Sequence, residues 1–368
     1  MKNVNVLTGT ELSNTNILLS YWSILYENKQ TLKNFNININ FYKKINKEFL
    51  NGDVLILSSR YFYKQKENNV NAILKSLNDI YYFNKNILWF DLRDSAGTTQ
   101  FEVMPYVKKY LKGQIYKNNE HYLNYLYGGR FYTDYYFKNN NIKDKIQYEY
   151  KLLEKEDINK IFISWNLGTL RYDLRAKKNI YKFFLKKNFL NSFLLKDSTK
   201  YISTNNLENR KYRVHALLNT KFERETVAYQ RNYVINLIKN KNNMDLINKK
   251  FSKKNFLKSL SQSKMTLSLY GWGEICYRDW ESIINGTPFI KPDMSNIETW
   301  PNIYESNKTY YPIKLNFADL EETINYAASH IKNSKQIVEN AQKIHKSIRS
   351  EIGMKQFCEK FKDIITLK

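Results

Sequence analysis

The chain has 368 residues, enough for two domains, and its 42% hydrophobic and 15% aromatic content excludes a wholly disordered protein. The net charge of +24 rests on 48 Lys against only 11 Arg, beside an excess of Asn, Ile and Tyr. AT-rich codon usage accounts for that balance first and an anionic partner second, because a dedicated nucleic-acid reader is expected to use more Arg.

In chain order, Val4–Leu7 reads as a strand, Gly9 as a turn and Leu12–Tyr26 as a helix. Asp53–Leu57, between Gly52 and Ser58–Ser59, fits a buried strand, followed by a helix over Val70–Ile80 and a strand over Ile87–Phe90. Val107–Leu111 and Ile161–Trp165 are further strands, and Ala176–Lys196 is an unbroken basic helix. The polar stretch Lys200–Asn209 marks a boundary, after which the alternation restarts. Tyr212–Leu218 is a strand, Thr226–Ile238 and Phe251–Ser261 are helices, and Met265–Leu269 is a strand. Ile275–Ile284 is a helix, Pro288–Ile290 a strand, Phe317–Ile331 a helix, and Ser334–Ile365 a helical tail broken at Gly353. Strands alternating with helices predict parallel sheets: an α/β protein of two Rossmann-like domains, 1–199 and 200–350, with 351–368 as a C-terminal helix.

Cys276 and Cys358 alone offer neither a disulfide framework nor a zinc-binding spacing, so no metal is expected. Met1–Leu18 lacks an apolar signal core and no run approaches 18 uninterrupted apolar residues. A cytoplasmic protein is therefore expected, with the acidic inner membrane face as a peripheral partner.

The segment from Met265 to Ile290 is the most informative. It runs strand, glycine turn through Gly271 and Gly273, helix to Gly286, then strand. A glycine loop at a helix N-terminus lets backbone N–H groups and the helix dipole approach a phosphate. Arg278 and Glu281, three apart, share one helix face, where Arg suits a diphosphate and Glu suits ribose hydroxyls. Read blandly, the same pair is a surface ion pair beside a tight turn.

With Gly271, Gly273, Arg278, Glu281, Gly286 and Pro288, this segment resembles the donor-binding half of GT-B glycosyltransferases, in particular the exostosin-like arrangement. The resemblance implies two domains facing a cleft, the C-terminal helix crossing back to the first, and no obligatory metal or cofactor. The substrate it implies is a nucleotide-sugar donor held around Tyr270, Gly271, Trp272, Gly273, Arg278 and Glu281. Retaining members often carry two Glu enclosing seven residues; Glu274 and Glu281 enclose six, so no retaining mechanism is inferred. Glu274 faces the donor sugar or favours the helix N-terminus through the dipole.

Other candidates come from the ends of strands, where open α/β folds bind ligands. Lys221 and Arg224 suit donor phosphates, or cap a helix as a solvated cluster. Asp94 and then Asp91, after an apolar strand, are candidates for the base that takes the acceptor proton, with a helix-capping role as the alternative. Arg93 and Arg130 are candidate acceptor contacts, and His215 reads as a core histidine. The expected function is sugar transfer to a glycan or lipid-linked acceptor in bacterial capsule or lipooligosaccharide synthesis, without nucleic acid. The alternatives are a basic single-strand nucleic-acid-binding protein and a transferase of another phosphate-linked group.

Overall fold

The computed structural model describes residues 1–9, 16–65, 69–175, 197–239, 246–247 and 252–366. The basic helix expected over Ala176–Lys196 lies outside the described residues.

The first sheet holds β1 (Lys2–Leu7), β2 (Ile37–Tyr42), β3 (Val54–Ser58), β4 (Ile87–Asp91), β5 (Lys109–Lys112) and β7 (Ile161–Ile163). Their order is β2-β1-β3-β4-β5-β7, parallel throughout. Alternation along the strands divides two cores. Val4, Val6, Ile56, Leu88 and Phe90 face one layer, whereas Leu55, Leu57, Ile87 and Trp89 face the other. β2 is absent from the sequence reading. Its Ile-Asn alternation buries only Ile37 and Ile39, as an edge strand with one dry face does.

The second sheet holds β8 (Tyr212–His215), β9 (Leu246–Ile247), β10 (Ser263–Leu267), β11 (Phe289–Pro292) and β13 (Tyr311–Ile313), ordered β13-β11-β10-β8-β9 and also parallel. A two-stranded antiparallel ribbon, β6 (Gln114–Tyr116) with β12 (Ile297–Thr299), ties the two halves together. Among the described residues, the helices of eight or more residues are α1 (Asn16–Glu27), α2 (Val70–Phe83), α3 (Phe131–Asn140), α4 (Glu225–Lys239), α5 (Lys253–Ser261), α6 (Tyr277–Ile284), α7 (Leu320–Ser329), α8 (Ile331–Ile348) and α9 (Glu351–Ile365).

α9 returns to the first domain. Its Phe357, Cys358, Phe361, Ile364 and Ile365 are buried with Val4, Trp22, Phe90 and Trp165, and the Trp165 ring stands 5.3 Å from Phe357 and 5.9 Å from Phe361. The crossing is fixed by Arg349, which pairs with Glu27 at 2.7 Å and Asp197 at 3.1 Å and donates to the Thr169 carbonyl at 2.8 Å. The break expected at Gly353 falls earlier, at Arg349–Ser350. Ser350 caps α9 by accepting the Gly353 N–H, and Gly353 lies so close to the end of α8 that a Cβ would stand 2.1 Å from the Ser347 carbonyl oxygen. Glycine is there for the close approach of two helices, not to stop one.

Two parallel Rossmann-like sheets face a cleft and the last helix crosses back to the first domain, the two-domain arrangement expected from the sequence. Among the described residues no helix is long and apolar enough to cross a membrane.

The end of α9 is closed by Lys109. Its Nζ donates to the carbonyls of Asp363, Ile364 and Thr366 at 3.1, 2.9 and 2.8 Å, so a β5 cation satisfies the orphan acceptors of the last turn. Lys109→Met should lower the unfolding free energy by about 1–2 kcal/mol, read from the urea midpoint at unchanged slope.

Candidate functional site

In each sheet the chain order reverses beside the first strand: between β1 and β3, and between β8 and β10. Ligands of open α/β sheets bind outside the carboxyl ends at such points. The glycine segment occupies this position in the second domain, between the end of β10 at Leu267 and the start of α6 at Tyr277.

Side chains of both domains hold this loop by its backbone. Arg231, on α4, donates to the carbonyls of Tyr270, Asn219 and Leu269 at 2.9, 3.2 and 3.3 Å. From the first domain, Tyr132 donates to the Gly271 carbonyl at 2.8 Å and Arg130 to the Trp272 carbonyl at 2.9 Å. Gln114 accepts the Ile275 N–H at 3.1 Å and donates to the Asp94 carbonyl. With its carbonyls tied back, the loop can turn its remaining N–H groups and the N-terminus of α6 toward an anion. Gly273 lies directly on the Asp94 backbone, where a Cβ would stand 1.7 Å from the carbonyl oxygen.

α6 itself is anchored by a buried charge cluster. Asp279 accepts from Cys276 N at 3.1 Å and from the Tyr304 hydroxyl at 2.7 Å, and pairs with Lys291 at 3.2 Å. Ser268 also donates to it. Asp279 and Lys291 were missed from the sequence; the only local signal for Asp279 was its place three residues after the Cys276 cap.

Two cavities open against the loop. One, of about 310 Å³, lies between the domains and is lined by Asp94, Gln114, Arg231, Trp272, Gly273 and the start of α6. The other, of about 420 Å³, lies toward the first domain, lined by Arg60, Arg93, Arg130, Gln100, Tyr148 and Tyr150. Both volumes suit small ligands. Arg93, Asp94 and Trp272 belong to both. Trp272, 37% exposed, meets Phe222 edge-on at 5.4 Å and lies 5.7 Å from the Arg130 guanidinium.

Asp94 therefore stands where the two cavities meet. Among the described residues it makes no ion pair. Its side chain is exposed at the mouth of the cleft, and crowding by the surrounding protein raises its pKa above the ordinary carboxylate value, against the pull of Arg60, Arg130 and Lys112. Asp91, the second candidate base, is corrected by the structure. It is buried, accepts from Tyr110 at 2.6 Å, and pairs with Lys112 at 2.9 Å and Arg93 at 3.2 Å. Burial pushes its pKa up, but Arg93, Lys112 and the two hydrogen bonds outweigh this and hold it at about 2. A carboxylate so stabilised is a poor proton acceptor.

The remaining candidates divide. Glu274 is fully buried and crosses to the first domain, accepting from Ser95 Oγ at 2.8 Å and Ala96 N at 3.0 Å. Burial raises its pKa, opposed by those two bonds. It clamps the loop rather than lining either cavity. Tyr270 lies beneath the loop and donates to the Asp293 carbonyl at 2.7 Å. Arg278 donates to the carbonyls of Leu217 and Leu267, tying the ends of β8 and β10, and Glu281 is buried beside Lys253. Arg224 pairs with Asp144 at 2.9 Å and donates to the Gly128 carbonyl at 3.1 Å, away from the cavity walls, while Lys221 is exposed. His215 is a core residue, with its ring nitrogens against Thr266 and Ser259 hydroxyls at 3.2 and 3.1 Å; burial lowers its pKa to about 3. Among the described residues no group of three or more His, Cys, Asp or Glu is placed to hold a metal ion.

No protein-family model matches the chain, and no curated protein sequence matches it. Several solved structures are similar to it. Anabaena HepE in complex with UDP-glucose has 9% identity and a TM-score of 0.42, over 99% of this chain and 100% of that one. A glycosyltransferase from Rickettsia africae has 11% identity and a TM-score of 0.44, over 99% and 98%. An alpha-glucosyltransferase in complex with UDP and a mismatched DNA has 12% identity and a TM-score of 0.44, over 99% and 100%. At such identities the ligands in those structures are properties of those proteins alone.

Proposed function

We propose that this chain transfers a glycosyl group from a nucleotide-sugar donor to a saccharide acceptor. The observation that carries the reading is the placement of Asp94, which makes no ion pair among the described residues, between a cavity walled by a glycine loop and helix N-terminus and a second cavity in the opposite domain. In this reading the donor diphosphate lies against the loop and the start of α6. Arg231 and Arg93 supply positive charge in that cavity, whereas Glu281, buried beside Lys253, lies outside its lining. Arg278 and Arg224 act at one remove, by fixing strand ends and the domain contact.

Asp94 takes the proton of the acceptor hydroxyl as that oxygen attacks the anomeric carbon. The bond from that carbon to the phosphate oxygen breaks, and the nucleotide leaves with the negative charge, met by the α6 N-terminus and Arg231. A single displacement of this kind inverts the anomeric configuration. Arg93 and Arg130, lining the second cavity, contact the acceptor. The +24 charge supports work on a surface glycan or glycolipid at an acidic inner membrane face.

The test is a thermal-shift panel of UDP, GDP, CMP and ADP against the wild type, Arg231→Lys and Arg231→Ala. One nucleotide should stabilise the wild type, by about 2.7 kcal/mol at 100 times its dissociation constant, and both variants should lose most of the effect. If no nucleotide stabilises the protein while oligonucleotides do so in a salt-dependent way, the sugar-transfer reading gives way to nucleic-acid binding.

A further inference from the structure

The 420 Å³ cavity is lined by two arginines, Arg60 and Arg130, that make no ion pair among the described residues. Arg60 follows β3, at the point where the first sheet reverses its chain order. Among the described residues it makes no ion pair, and its Nε is buried without a hydrogen-bond partner. Arg130, 5% exposed, donates to the carbonyls of Trp272 and Gly128 and among the described residues meets no carboxylate at contact distance. Arg93 shares Asp91 with Lys112. Arg60, Arg93 and Arg130 line the cavity with Asp94, Glu102 and Glu149, so its formal charges balance, but among the described residues none of these acids lies within ion-pair distance of Arg60 or Arg130. A partly buried guanidinium fork with no carboxylate in contact is a ready partner for an anionic group.

We infer that this cavity takes an acidic saccharide as acceptor, one bearing a carboxylate or phosphate that Arg60 and Arg130 bind while a neighbouring hydroxyl meets Asp94. The inference rests on the reading of Asp94 as the acceptor base. Planar guanidinium forks match both anions, so the shared chemistry is a resonance-stabilised oxyanion close to a hydroxyl. Gln100 adds a polar contact. It is 8% exposed and its Oε1 has no partner, which fits a saccharide hydroxyl donor. Tyr150, whose ring lies 5.8 Å from the Arg93 guanidinium, and Tyr148 supply flat faces for a pyranose. A neutral sugar or an amino sugar would leave both guanidinium groups without an oxyanion in contact.

The probes are methyl glucuronide, N-acetylneuraminic acid and glucose 6-phosphate, compared with methyl glucoside and glucosamine by ligand-detected NMR at physiological salt. The acidic probes should bind at least about tenfold tighter than the neutral and basic ones, the scale of a single charge-assisted contact. The carboxylate and phosphate arms show which oxyanion is preferred. Arg60→Gln should abolish that preference, and Arg60→Lys should restore part of it by returning charge without the fork. The nucleotide-induced thermal shift on the same samples should be unchanged, which certifies the fold and the donor site. Equal binding of neutral and acidic probes, no saccharide binding at all, or an Arg60→Gln variant that keeps the preference overturns the inference. A protein with no nucleotide response but Arg60-dependent binding of acidic saccharides would instead sink the sugar-transfer reading and keep the anionic site.

Discussion

Asp94→Asn is expected to reduce glycosyl transfer by about 10²–10⁴-fold, the usual weight of a positioned general base, while leaving the nucleotide-induced thermal shift in place. The substitution keeps the shape of the side chain and removes only its capacity to take a proton. Asp94 is suited to that task by its surroundings. It opens to both cavities, makes no ion pair among the described residues, and its pKa is lifted by partial desolvation in the cleft although the side chain stays exposed. Asp91, three residues earlier, is held at about 2 by Arg93, Lys112 and Tyr110 despite its burial, and shows the opposite setting. The sign of the pH dependence follows. A base works only when deprotonated, so transfer should fall as pH drops through the Asp94 pKa, and the raised value places this acid limb above the ordinary carboxylate range near 3.9. The measurement is kcat against pH for the wild type, with single-turnover rates for the variant. Full activity in Asp94→Asn would remove Asp94 from the chemistry and leave the acceptor proton to another group.

Gly273→Ala should cost about 10²-fold in kcat, the penalty of a displacement near 1 Å at a reacting site. Its Cβ would stand 1.7 Å from the Asp94 carbonyl oxygen and 2.4 Å from the carbonyl carbon, both backbone atoms with no rotamer to change. Ordinary contact requires more than an ångström of separation between the glycine loop and the Asp94 loop. That movement strains the bonds Gln114 makes to Asp94 and Ile275 and the clamp of Glu274 on Ser95 and Ala96. Gly271→Ala is the internal control. Its Cβ would meet the Arg231 guanidinium, Nη2 at 2.9 Å and Cζ at 3.7 Å, a side chain and not backbone. The loss of kcat should therefore be smaller than that of Gly273→Ala and be accompanied by weaker nucleotide binding, because that guanidinium holds the loop carbonyls. Equal kcat values for the two variants would show that the contact between Gly273 and Asp94 does not set the geometry of the site.

By itself the sequence determined the alternation of strands and helices, the parallel sheets that follow from it, and the glycine turn leading into α6. Each of these is written in a local pattern: the two-residue period of Leu55–Leu57 and Ile87–Trp89, or the step from Met265 through Gly273 into Tyr277. It also gave two carboxylates after β4 as candidates, since a strand end is recognisable from its neighbours. Which of them faces the cleft was decided by Tyr110 and Lys112 on β5, which take up Asp91 and leave Asp94 without an ion pair among the described residues. Arg278 looked like an anion ligand by its helix face, yet Leu217, 61 residues away, offers its carbonyl and turns that guanidinium into a strand tie. Arg60 and Arg231 carried no motif at all, and they became legible only when folding set one beside Asp94 and the other beneath Tyr270. Periodicity and caps act within a few residues, whereas the charge balance of a cleft is a sum over side chains that only the tertiary structure brings together.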